Sequence, residues 1–476
     1  MCAHRAKDAP EPHRRLAAAQ PVSVPAPGKP ASRCEAADRP RGAAGMTRIR
    51  SRGVVTTRHL AAVLVLAACT PAEPPPDERA AELARRHLIA DTHIDFPIRR
   101  HFQPDAVGPM QSEGQFDHPR AVAGGLDVAF MSIFTPASAA EAGTSTDLAN
   151  SLIDAMEEIV EDAPDRFGIA ACADDVDVLR DSGRLALALG MENGSPLGDD
   201  AEHLDHFASR GISYLGLTHS RTNAFSDSSY DTSEPWQGLS PLGVATVRAL
   251  NERGIMIDLS HLSDNAAWQA LEHTEVPVVA THSSLRHFIP GFHRNISDAM
   301  VEAVGAQGGV VQINFGSDFV SETAQNWAVA RRGAVAAAFG VTEPDPAARL
   351  AFDAEYRQAH PYPYASVGTV LDHIDRVVTL AGIDHVGLGS DFDGVGDTLP
   401  EGLKDVAAFP NLVAGLLRRG YAEDAIAKIL GGNLMRVWRA AEAYGAASGN
   451  PPPCAQAPGL SDRGRPAPGA DRENAV

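Results

Sequence analysis

The chain has 476 residues, 44% of them apolar, and a formal charge of −20. That charge argues against a nucleic-acid or polybasic membrane surface. The length accommodates one large barrel domain with flanking segments, and five scattered cysteines do not make a disulfide framework.

Residues 1–45 are rich in Pro, Ala and Arg and carry no apolar period, so they read as an upstream extension or a misread start, with Met46 the alternative beginning. From Met46 the pattern changes. Arg48, Arg50, Arg52 and Arg58 precede a short apolar run over residues 60–68, which is too short to span a bilayer and reads as a signal peptide over 46–68. Leu66, Ala67 and Ala68 before Cys69 resemble a bacterial lipoprotein cleavage box, making Cys69 the lipidated N-terminus; ordinary cleavage beside a coincidental cysteine is the alternative. Thr70 rather than Asp after the cysteine is the pattern that permits transfer to the outer membrane. The expected location is therefore the bacterial cell envelope, lipid-anchored on the periplasmic side. Cleavage removes twelve Lys/Arg and four Asp/Glu, taking the charge to −20 − 8 = −28. Residues 69–77 form a tether, and Cys172 and Cys454 are the cysteines left in the body and tail.

In the body, residues 78–444, short apolar runs alternate with helical patterns. A helix over 78–86 leads into a first strand at 88–90; further runs lie at 128–134, 185–191, 214–217, 255–259, 276–280, 309–315 and 385–389. Helical patterns lie at 147–161, 201–210, 243–253, 265–273, 298–306 and 367–381, and Gly211, Gly254 and Gly382 suit their C-terminal ends. Eight continuously apolar strands alternating with helices predict a parallel sheet buried on both faces. A doubly wound sheet is the competitor, but no Gly-rich phosphate turn follows the first strand. A closed (β/α)8 barrel of TIM type fits better. Residues 326–364 form an Ala-rich helical insertion expected over the barrel mouth. Helices over 422–430 and 433–443 end the domain, and the Pro/Gly/Ala-rich tail 445–476 is expected to be disordered.

The residues just past the strands carry the chemistry. They are His93 and Asp95, Glu192, His219, His261, His282 and Asp391. Any one of them alone is a cap or a loop hydrogen bond. In a parallel barrel, however, all these ends share one rim, and six strand ends bearing imidazoles and carboxylates imply a metal site there. Imidazole and carboxylate without cysteine suit zinc, with manganese and cobalt as alternatives. His93, Asp95, Glu192, His261 and His282 are too many for one catalytic ion. They suffice for two sharing a carboxylate bridge and a water of lowered pKa, which is hydrolytic chemistry.

These residues sit in motifs that resemble the membrane (renal-type) dipeptidase family of zinc peptidases: D-T-H-I-D-F-P from Asp91, G-M-E-N-G around Glu192, L-T-H-S at Leu217, D-L-S-H at Asp258, T-H-S-S at Thr281, R-N-I-S-D at Arg294 and H-V-G-L-G-S-D-F-D-G from His385. The resemblance spans about residues 84–440. It implies an amidohydrolase-like barrel with two zinc ions per chain, one on His93 and Asp95, the other on His261 and His282, with Glu192 bridging. It further implies that His219 contacts substrate or oxyanion, that Arg294 with Asn295 binds the substrate carboxylate, and that Asp391 moves the proton. Ile94, Asn193 and Gly316 depart from residues that many relatives carry. The implied activity is hydrolysis of dipeptides, including those with a C-terminal D-residue. The alternatives are an amidohydrolase acting on a lactam or other amide, and a non-catalytic surface lipoprotein. The expected partners are the dipeptide substrate and the membrane, with no nucleic acid; a homodimer is compatible with the resemblance.

Overall fold

A computed structural model of the chain describes residues 76–102, 114–198, 201–340, 345–452 and 454. The upstream extension, the leader 46–68, Cys69 with residues 70–75, and the tail 455–476 lie outside the described residues.

Among the described residues nine parallel strands are present: β1 (Ala90–Ile94), β2 (Val128–Phe134), β3 (Phe167–Ile169), β4 (Leu185–Glu192), β5 (Ile212–Gly216), β6 (Met256–Asp258), β7 (Val279–Ala280), β8 (Val310–Ile313) and β9 (Val386–Leu388). All but β3 close a ring in the order β1-β2-β4-β5-β6-β7-β8-β9, with β9 returning to β1. The expected (β/α)8 barrel is the fold. β3 was not anticipated. It pairs the first residues of β4, Leu185 to Leu187, on the edge that β5 occupies from Leu189 onward. Three residues are too short a run to separate from a loop by pattern.

The opening strand was expected at 88–90 and instead starts at Ala90, running through His93 to Ile94. Its pairing with β2 shifts register between Asp91 and Ile94. This irregularity turns His93 inward although Ala90 also faces the barrel interior. The helices at 147–161, 201–210, 243–253, 265–273, 298–306 and 367–381 are found as Ser145–Asp162, Ala201–Ser209, Pro241–Glu252, Asp264–His273, Asp298–Ala306 and Val367–Ala381. Ser240, Ser263, Ser297 and Ser366 cap four of these by accepting a bond from an amide of the first turn. The insertion is two helices, Glu322–Phe339 and Pro346–Ala359, and helices Phe96–Phe102, Ala173–Asp181 and Phe409–Arg418 are additional to those expected.

Two apolar layers fill the domain. Ala90, Phe130, Ala186, Ala188, Tyr214 and Val279 pack inside the ring, with Trp438 of helix Asn433–Ala447 against Phe130 at a ring separation of 5.1 Å. The second layer lies between strands and outer helices. Gly190 marks where the first layer meets the site. A Cβ there would stand 2.0 Å from the Tyr214 ring, so only glycine lets that ring lie across the barrel beneath His93.

The first residues of the expected tail are ordered by the domain. Helix Asn433–Ala447 runs past residue 444, and Cys454 forms a disulfide with Cys172, 282 residues away in sequence. The two cysteines left apart by sequence reasoning are thus a pair, brought together because the last helix packs on the barrel beside helix Ala173–Asp181. Closing so long a loop restricts the unfolded chain. Cys454→Ser is expected to lower the unfolding free energy by roughly 2–5 kcal/mol, measured by urea denaturation against the oxidised parent. Among the described residues no helix is long and apolar enough to cross a membrane.

Candidate metal centre

The C-terminal rim of the ring gathers the predicted residues. Glu192 is the last residue of β4, His93 lies in β1 with Asp95 just beyond, and His219, His261 and His282 follow β5, β6 and β7. His261 and Asp391 have φ of +69° and +64°, and Asn193 has φ of +84°. Asparagine tolerates that left-handed region better than most residues, so it can stand beside Glu192 at this φ.

Glu192 is the hub. Its Oε2 lies 3.3 Å from His93 Nε2 and accepts a bond from Ser132 Oγ at 3.1 Å. Its Oε1 lies 3.0 Å from His261 Nε2, 3.4 Å from His282 Nε2 and 3.6 Å from His219 Nε2. His93 Nε2 is also 3.6 Å from Asp95 Oδ2. Ligand atoms at tetrahedral angles around zinc stand roughly 3.3–3.6 Å apart, close to these spacings. Three triads could each hold an ion: His93 with Glu192 and His282, Glu192 with His219 and His261, and His93 with Asp95 and Asp391. The two oxygens of one carboxylate therefore face two different sets of ligands.

The supporting shell fixes ring orientation. His93 Nδ1 meets the Tyr214 hydroxyl at 2.9 Å, and with Nδ1–H as donor the Nε2 lone pair is free. The Thr281 hydroxyl donates to Asp258 Oδ2 at 2.7 Å and stands 2.8 Å from His282 Nδ1, a relay that sets the same tautomer on His282. Asp91 Oδ1 accepts from the amides of Ser390 at 2.9 Å and His93 at 3.2 Å, tying β1 to the loop that carries Asp391.

The donor set fits a cation. His93 Nε2 and Asp95 Oδ1 are buried without a hydrogen-bond partner, and a buried polar atom left unsatisfied is costly unless something else binds it. Burial and neighbouring positive charge hold the imidazoles of His261 and His282 well below the ordinary histidine range, keeping them neutral as ligation requires. Burial opposes charge on His93 too, but the Tyr214 hydroxyl and the carboxylates of Glu192 and Asp95 outweigh it and raise the group well above its ordinary value. Burial likewise disfavours the Glu192 carboxylate. The imidazoles of His93, His219, His261 and His282 around it overcome this and hold Glu192 well below the usual carboxylate range. The site therefore seeks positive charge between His93 and Glu192. Burial, and then the charge of Asp95, push Asp391 up to about 7, while its Oδ2 accepts a bond from Asn314 Nδ2 at 2.6 Å.

Above these residues opens a cavity of about 480 Å³ lined by Asp95, Glu192, His219, Arg294 and Asp391, among others. Its outer wall is the expected insertion, including Trp327, Arg332 and Tyr362. His219 is a quarter exposed to it, with its ring 4.6 Å from Phe134 and 4.2 Å from His261. Arg294 is buried, donating to Ser283 Oγ and the His282 carbonyl at 2.9 Å each, and its guanidinium lies over the Phe319 ring at 5.5 Å. Space left by Gly316 accommodates Phe319, since a Cβ at Gly316 would meet that ring at 2.9 Å. Asn295, expected beside the substrate, is placed differently from Arg294. It does not line the cavity; it lies behind Arg294, its Nδ2 donating to the carbonyls of Phe319 at 2.8 Å and Leu285 at 3.3 Å. Tyr214 has no signal in the strand-end pattern, because it lies within a run that reads as core, and nothing in the motifs at Asp258 and Thr281 shows that the two side chains meet.

A family model described as membrane dipeptidase (peptidase family M19) matches residues 77–451. Among curated proteins, the chain is 31% identical over 363 residues to dipeptidase tcpJ of Claviceps purpurea, covering 75% of each chain. It is 28% identical over 387 residues to an uncharacterised dipeptidase of Schizosaccharomyces pombe, covering 77% of this chain and 83% of that one. Among solved structures, the probable dipeptidase PvdM from Pseudomonas aeruginosa aligns with a TM-score of 0.68 at 30% identity, covering 78% of this chain and 99% of the other. A metallopeptidase from Rhodobacter sphaeroides, liganded with a phosphinate mimic of L-Ala-D-Ala, aligns with a TM-score of 0.62 at 25% identity, covering 75% and 99%.

Proposed function

The chain belongs to the membrane dipeptidase family, peptidase family M19, and on that premise we propose that it is a two-zinc dipeptidase that accepts a D-residue at the C-terminal position. It is a metal-dependent hydrolase of peptide bonds. The observation that carries the two-zinc reading is the division of Glu192, whose Oε2 faces His93 while Oε1 faces His261 and His282. In this reading His93 and Asp95 would hold one ion and His261 and His282 the other, with Glu192 within reach of both sets. Bound zinc would supply Lewis acidity, lowering the pKa of a water and polarising the scissile carbonyl.

The chain's own groups do the rest. Arg294, fixed by Ser283 and the His282 carbonyl, offers a permanent positive charge for the substrate carboxylate. It lines the same cavity as Glu192, a placement that suits a short peptide. Burial keeps His219 below its ordinary pKa and thus neutral, so its Nε2–H can donate to the oxygen that becomes negative. Asp391, whose Oδ2 is taken by Asn314, has Oδ1 left to accept a proton from the attacking water and pass it to the leaving amine. The dipeptide mimic bound by the Rhodobacter sphaeroides relative carries a C-terminal D-residue, which supports that stereochemistry here.

We place the protein at the cell envelope through lipid on Cys69, and the Cys172–Cys454 disulfide suits an oxidising compartment.

The test is a panel of dipeptides of both C-terminal stereochemistries, with N-acylated amino acids and lactams alongside. Dipeptides should be cleaved, chelator should abolish cleavage, zinc should restore it, and metal analysis should find two ions per chain. A preparation with two bound zinc ions that cleaves N-acyl substrates or lactams and leaves dipeptides intact would move the reading to the wider amidohydrolase class.

A further inference from the structure

The loop that carries Arg294 and the base of the insertion meet through two buried side chains that the proposed chemistry does not use. The loop closes on itself: Arg286 N–H donates to the Ile296 carbonyl at 2.9 Å and Ile296 N–H to the Ser284 carbonyl at 3.0 Å. Facing it, the short helix Ser317–Val320 supplies Asp318 and Phe319 to the cavity. Asn295 Nδ2 bonds a carbonyl on each side of this junction, Leu285 O in the loop and Phe319 O in the helix.

His373, on helix Val367–Ala381, does the same from the other side. Its Nδ1 accepts from Leu285 N–H at 3.0 Å and its Nε2–H donates to the Val320 carbonyl at 3.1 Å. The ring is fully buried and packs on Phe288 at 4.3 Å. One nitrogen faces an amide donor and the other a carbonyl acceptor, so a single neutral tautomer satisfies both. Burial pushes the group down to about 4, which keeps that tautomer at neutral pH.

We propose that His373, together with Asn295, is a positioning residue for substrate binding. The two side chains form a splint that holds the guanidinium of Arg294 against the ring of Phe319, so the carboxylate end of the substrate meets a preset wall. This rests on the reading of Arg294 as the carboxylate clamp. Leu285 is pinned at both its N–H and its C=O, and Phe319 and Val320 are pinned at consecutive carbonyls. No rotation of the loop against the insertion base leaves all four bonds intact.

The experiment compares His373→Leu and His373→Gln in the full zinc-loaded chain. In the Leu variant, KM for dipeptides should rise about 10-fold or more, with kcat within about 3-fold and zinc content unchanged. The Gln variant, whose amide offers both an acceptor and a donor, should recover most of that loss. Hydrogen exchange of the peptides covering residues 284–296 and 317–321 should quicken in the Leu variant. Unchanged KM and unchanged exchange in that variant would overturn the splint, as would a fall in kcat and zinc content at constant KM. If the parent chain cleaves no dipeptide, the functional reading fails on its own, and exchange at these two segments alone decides the splint.

Discussion

Glu192→Gln should reduce dipeptide hydrolysis by more than about 10³-fold and strip metal from the chain. The carboxylate lies among four imidazole nitrogens at 3.0–3.6 Å and is almost wholly buried. Glutamine keeps the shape and removes the negative charge on which the charge balance of the rim depends. It also turns one face of the side chain into a donor. Whichever way the amide turns, either His93 or the pair His261 and His282 then meets an N–H where it had an oxygen. Metal analysis of the purified variant should find fewer than two ions, while circular dichroism stays that of the parent. A variant that keeps two ions and activity within about 10-fold of the parent would remove Glu192 from the bridge.

Asp391→Asn should give a different signature: kcat down by roughly 10²–10⁴-fold with metal content retained. The position suits the exchange, because Asp391 has φ of +64° and asparagine tolerates that conformation. Its carbonyl oxygen can still accept from Asn314 Nδ2. What the variant lacks is a group able to take and release a proton. Asp391 also belongs to a triad with His93 and Asp95 that could hold an ion, and the metal count separates the two roles. Loss of an ion along with activity would make Asp391 a ligand rather than a proton carrier.

The residues most legible in the sequence were those at the strand ends. A parallel ring carries every strand's C-terminal end to one rim, so His93, Glu192, His261 and His282, up to 189 positions apart, needed only the strand pattern to be grouped. The pattern could not reveal contacts that run through the ring. Tyr214 reads as one more apolar residue of a strand, yet its hydroxyl reaches His93 across 121 positions because Gly190 leaves the space. Asn295 reads as a partner of Arg294 because it is adjacent to it, but the backbone turns its amide toward Leu285 and Phe319. His373 sits in a helix as one buried position among several, and nothing in its periodicity distinguishes an imidazole bonded at both nitrogens from a packed one. Cys172 and Cys454 meet only once the last helix has docked.

The insertion Glu322–Ala359 has a consequence for how this enzyme could change over time. It furnishes much of the cavity's outer wall, including Trp327, Arg332 and Arg357, yet none of the groups facing Glu192. Those groups hang from the ring itself. The chain thus separates the groups around Glu192 from an exchangeable visor: helix-for-helix replacement above the mouth is expected to alter which molecules are admitted while the apparatus below stays in place.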